Sequence, residues 1–96
     1  MAQIRHDGGP QEANLVWLPE GEARFQFWQN DWLVVGRVSR DALDEKFGPR
    51  ASAEEYLELV SSNFQHAVTD SIGRLAALGR FEADGTVLLR PGQWMY

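Results

Sequence analysis

The sequence predicts an α+β fold: two layers, in the order β-β-β-α-α-β, with the helices packed on one face of an antiparallel sheet. Three features of the chain carry this. Aromatic and β-branched residues gather before residue 39, in short runs separated by turn residues. From Leu57 onward, apolar residues recur at three- and four-residue spacing. A last apolar run follows, Thr86 to Arg90. A helix has to bury a stripe and a sheet has to bury a face, and two layers satisfy both.

Residues 1–13 contain Arg5, His6, Asp7, Gly8, Gly9 and Pro10 and read as a flexible arm. Residues 14–90 read as one domain, and 91–96 as a tail released by Pro91 and Gly92. Asn14 to Leu18 suits a strand closed by Pro19, Glu20 and Gly21. Ala23 to Trp28 and Trp32 to Val38 flank Gln29-Asn30-Asp31, and Asn and Asp tolerate the positive φ of a tight hairpin. These three strands form an antiparallel meander.

The period then changes. Ser39 can cap a helix from Arg40 to Phe47 that Gly48 and Pro49 end. Ser52-Ala53-Glu54-Glu55 is a capping box, with Glu54, Glu55 and Glu58 placed where the helix dipole favours negative charge. Leu57, Val60, Phe64, Val68, Ile72, Leu75 and Leu78 then mark one apolar face. Run straight to Leu78, this helix is about 39 Å long, against about 30–35 Å for the breadth of such a domain. A bend is expected at Ser71-Ile72-Gly73, and a C-cap at Gly79. Asp84-Gly85 turns the chain into the final strand.

Composition excludes several functions. The 96 residues are 44% apolar, ordinary for a folded chain, and hold no cysteine, which removes disulfides, thiolate metal sites and cysteine nucleophiles. Fourteen acidic against nine basic residues give a net charge of −5, poor for neutralising phosphates, so nucleic acid is set aside as a partner. Met1 to Ala13 shows no signal-peptide h-region. No apolar run exceeds four residues, as at Trp32 to Val35, so no membrane partner is expected and the expected location is cytoplasmic.

Three stretches resemble a known family. They are Val38-Ser39-Arg40-Asp41-Ala42-Leu43 after the hairpin, Phe47-Gly48 at the end of the short helix, and Gly79 to Leu89. Together with Asn63, and in this order and spacing, they are similar to a bacterial family catalogued as domain of unknown function 1488, over about Ala23 to Leu89. The resemblance implies the same strand and helix order and no activity, so it brings no site residues. The family favours an Asp-Gly hairpin turn with polar flanks, whereas here Trp28 and Trp32 flank the turn.

Catalytic constellations fail on geometry. Ser62, His66 and Asp70 carry the residue types of a hydrolase triad at four-residue steps. Stacked on one helix they rise about 6 Å per step, and helix amides offer no oxyanion donors. A solvated polar face is the better reading. Asp41, Asp44 and Glu45 form a carboxylate cluster without the oxygen-ligand loop of a calcium site, and read as dipole-complementing charges. His6 and His66 are too few for zinc, and Gly8-Gly9-Pro10 is followed by no phosphate-binding lysine. No catalytic, cofactor or metal residues are assigned, and no cofactor is expected.

The four tryptophans remain. With Asn30-Asp31 as turn residues, Phe27 pairs with Val34 and Phe25 with Gly36, and Trp32 falls on their face, beneath the helices. Arg24, Gln26 and Trp28 then oppose Arg37, Val35 and Leu33 on a face the helices do not reach. Trp28, Leu33, Val35, Arg24 and Arg37 are therefore the candidate interaction surface for a homodimer or a protein partner. Alternatively the arm, or the tail with Trp94, folds over this face, or the register differs. The leading function is a non-enzymatic binding or assembly module acting through the open sheet face. The alternatives are a small-ligand binder or minor enzyme with a pocket between sheet and helices near Asn63, His66 and the tryptophans, and an acidic regulatory or immunity-type protein.

Overall fold

The computed structural model describes residues 13–95. The expected arm, 1–13, lies outside them but for Ala13, which opens the first strand. Strands β1 (Ala13–Leu18), β2 (Glu22–Gln29) and β3 (Trp32–Ser39) form the meander, neighbours in sequence being neighbours in the sheet. Asn30 takes φ 56° in the hairpin turn, as its short polar side chain allows. Helix α1 (Arg40–Phe47) starts at Ser39, whose Oγ accepts from the Ala42 amide at 3.1 Å, and stops at Gly48. Helix α2 (Ala53–Ser62) starts at Ser52, whose Oγ accepts from the Glu55 amide. The reciprocal bond of the capping box reaches one residue further back, from the Ala51 amide to Glu55 Oε1.

A π-turn (Phe64–Val68) and helix α3 (Thr69–Ala77) continue the rod. The expected bend at Ser71–Gly73 is not the irregular point. The break comes earlier, where the Val68 amide donates to the Asn63 carbonyl five residues back at 3.2 Å. Its cause lies in the spacing of the buried residues: Tyr56, Val60, Phe64, Val68, Ile72 and Ala76, each four apart. An α-helix turns about 100° per residue, so each four-residue step overshoots by about 40° and the stripe winds away from the sheet. A π-turn takes more residues per turn and draws the stripe back. Leu78, expected on the apolar face, is 58% exposed beyond the helix end. Gly79, at φ 74°, closes a Schellman motif with Arg80 N–Leu75 O and Gly79 N–Ala76 O bonds.

The last strand, β4 (Val87–Leu89), corrects the expected antiparallel sheet: it pairs with β3 in parallel, at Gly36–Val87, Arg37–Leu88 and Val38–Leu89. The sheet is mixed, in the order β1-β2-β3-β4. The rod from α2 to α3 returns the chain to the end where β3 began, so the next strand runs with β3 rather than against it.

Phe25, Phe27, Val34 and Val38 share one face of the sheet and are buried with the helical stripe. Phe64 meets Phe25 and Phe27 edge-on at 5.1 and 5.8 Å, and Trp17 of β1 stacks on Tyr56 of α2 at 4.9 Å. Gly36 makes room for this packing. A Cβ there would fall 2.7 Å from the Phe25 ring, so the bare backbone is what lets the ring sit flat over β3.

Candidate interaction face

The register of the β2–β3 hairpin sets the other face of the sheet. Arg24 opposes Arg37, Gln26 opposes Val35, and Trp28 opposes Leu33, as the turn predicts. Toward the hairpin tip, Trp28 is 61% and Leu33 47% exposed, while Val35 is half-buried. Val16 of β1, beside Arg24, is also exposed, at 44%. Trp32 shares the face of Phe27, as expected, yet it is 58% exposed rather than covered, because it stands at the hairpin end.

The root of the same face is polar and tied together. Arg37 donates to Glu22 Oε1 at 2.6 Å and, through Nε, to Thr86 Oγ1 at 3.0 Å. The Thr86 hydroxyl and amide both donate to Asp84 Oδ1, at 2.7 and 3.0 Å. Those two bonds, the hydroxyl's foremost, hold the Asp84 pKa below its ordinary value. Beside it Arg90 grips Glu82 with two nitrogens, which lowers the Glu82 pKa and raises that of Arg90. Arg37, a candidate contact residue, is thus largely committed within its own chain. The Arg24 side chain is exposed and makes no ion pair or hydrogen bond among the described residues.

Residues 92–95 of the tail do not lie over this face. The Trp94 indole donates to the Ala42 carbonyl at 2.8 Å and meets Phe47 edge-on, and the Met95 amide donates to the buried Ser71 hydroxyl. Gly92 is held by Glu45, its amide donating to Oε1 at 2.8 Å. Residues 92–95, expected as part of a released tail, therefore lie along α1 and α3. A cleft lined by Glu45, Lys46, Gly92 and Trp94 opens beside them.

The remaining candidates are used elsewhere. Asp44 accepts the Tyr56 hydroxyl at 2.6 Å, which fastens α1 to α2, while Asp41 stays exposed in the first turn of α1. Ser62 and His66 are exposed on the outside of the rod, and the π-turn breaks the four-residue alignment with Asp70. Asn63 turns inward on its own helix, donating to the Leu59 carbonyl at 2.8 Å.

Neither family models nor curated protein sequences match the chain. Among solved structures it is similar to a protein of unknown function from the duf1488 family of Shewanella loihica PV-4. The TM-score is 0.70 at 13% identity, over 91% of this chain and 98% of that one. At that identity the likeness shows the fold, over nearly the whole of both chains. It agrees with the resemblance carried by residues 38–43, 47–48 and 79–89.

Proposed function

We propose that this chain is a divergent member of the domain of unknown function 1488 family, and that it is a non-enzymatic binding or assembly module. In this reading residues 14–90 act as one domain of two layers in the cytoplasm, and the sheet face opposite the helices is the working surface. One observation carries it: Trp28 and Leu33, opposed on neighbouring strands, are 61% and 47% exposed on that face. Large apolar side chains in contact with each other and with water mark contact surfaces. The engagement of Trp94 with α1 supports it, because residues 92–95 then lie away from the face. Among the described residues no helix is long and apolar enough to cross a membrane.

Self-association is the leading form of this function. Sedimentation equilibrium over micromolar to millimolar concentrations tests it: wild type associates, and Trp28→Glu does not. A wild type that stays monomeric throughout removes self-association. The pocket alternative, placed near Asn63, His66 and the tryptophans, has less support, since His66 is exposed and the cleft at Trp94 includes a tryptophan but neither His66 nor Asn63. The acidic-regulator alternative is favoured by Asp41, Glu45, Glu54, Glu55 and Glu58, all exposed on α1 and α2. Strongly salt-sensitive binding of a basic partner would select it.

A further inference from the structure

We infer that the occupant of the open sheet face is a second copy of this chain, packed face to face with strands reversed, so that Arg24 of each copy lies on Trp28 of the other. This rests on the reading of that face as a contact surface and adds the partner and the register. The hairpin register puts Gln26 and Val35 opposite each other. Two residues toward the root stand Arg24 and Arg37; two residues toward the tip stand Trp28 and Leu33. Both pairs lie about 7 Å from the centre, at the rise of a strand.

A twofold axis through the Gln26–Val35 pair, perpendicular to the strands, exchanges the two ends. It lays the cationic end of each face over the apolar end of the other, an arrangement that is self-complementary as a twofold interface requires. Arg24 has no acidic partner among the described residues, and a guanidinium over an indole face is attracted by the ring quadrupole. Val16, exposed beside Arg24, adds apolar surface at the same end. A twofold axis running along the strands would instead bring Arg24 and Arg37 of both copies together, where Glu22, Asp84 and Glu82 are already engaged with Arg37, Thr86 and Arg90. The four strands, of six, eight, eight and three residues, cover about 400 Å², so the pair buries on the order of 800 Å², below the range of stable specific interfaces and within that of weak ones. Weak, concentration-dependent dimers follow.

The chain has no cysteine, so single cysteines can map the register without background. With a thiol-to-thiol cross-linker that spans about 10 Å, the spacing of packed sheets, Gln26→Cys should cross-link to itself. Arg24→Cys alone and Trp28→Cys alone should not, because each then faces its own kind from about 17 Å across the axis. An equal mixture of Arg24→Cys and Trp28→Cys should cross-link. Arg24→Ala should weaken association roughly five- to thirty-fold, two cation–π contacts being lost per dimer. Self-cross-linking of Arg24→Cys, or a wild type that associates while Gln26→Cys fails to cross-link, overturns this register and leaves the contact-surface reading standing. A monomeric wild type overturns the register and self-association together. If a cysteine variant loses its circular-dichroism signature, the Arg24→Ala measurement decides, and association unchanged by that substitution overturns the inference.

Discussion

Phe27 and Trp28 are adjacent in β2 and live under opposite conditions. The Phe27 face of the β2–β3 hairpin is dry and interlocked with the helical stripe through Phe64, whereas the Trp28 face meets water at the tip and is cross-tied by polar bonds from its middle, at Asn14–Gln26, to its root. One strand thus serves two requirements. The inward set of side chains determines whether the chain folds; the outward set is free to determine what it touches. Substitutions on the two faces should therefore separate stability from association.

The largest effect is expected inside. Phe64→Ala removes the ring that bridges Phe25 and Phe27 and should cost about 3–5 kcal/mol in urea unfolding. Gly36→Val should follow at about 1–3 kcal/mol, since the new side chain displaces the Phe25 ring; a neutral result would mean that the inner face is looser than its packing. On the outer face, Glu22→Gln should cost about 1–2 kcal/mol by weakening the largely buried pair with Arg37, again by urea midpoint.

Acid should act on the outer face first. Asp84 and Glu82 have pKa values lowered by Thr86 and Arg90, so their contribution is present above the ordinary carboxylate pKa and is lost as pH falls through the folded values. Amide exchange at Thr86, relative to exchange in the core, should accelerate as pH falls below about 4. Smallest of all, Trp28→Glu should shift unfolding stability by less than about 0.5 kcal/mol while abolishing association. A large loss of stability would show that Trp28 belongs to the fold rather than to a contact.

Much of this is legible in the sequence. The two-residue turn at Asn30-Asp31 fixes the hairpin register, and with it every member of the candidate face, because a strand alternates strictly. Caps at Ser39, Ser52 and Gly79 are local chemistry, legible from the residues that make them. The direction of β4 is not, since it depends on where a rod of helix delivers the chain, and no local signal encodes that. The π-turn did have a signal, the unbroken four-residue series from Tyr56 to Ala76, which differs from the α-helical period. For Trp94, aromatic character promised burial somewhere but not the Ala42 carbonyl that receives its N–H. Arg37 illustrates the limit for the candidate face: alternation places it outward, yet only the fold brings Glu22 and Thr86 to hold it.

The parallel pairing of β4 also sets an order of events in folding. The β1–β2–β3 meander joins residues close in sequence, with short loops to close, so it can form early. Closing β3 onto β4 joins Gly36 to Val87 across about fifty residues, a slow loop closure that becomes favourable once the intervening helices have shortened it. Until residues 87–89 arrive, the outer edge of β3 has unpaired amides and carbonyls beside an incomplete core, since Val87 and Leu89 are fully buried in the finished domain. A nascent or truncated chain that stops short of Val87 therefore offers a strand edge to whatever chain is nearest. For this domain, three residues near the end of the sequence separate a folded monomer from an aggregation template.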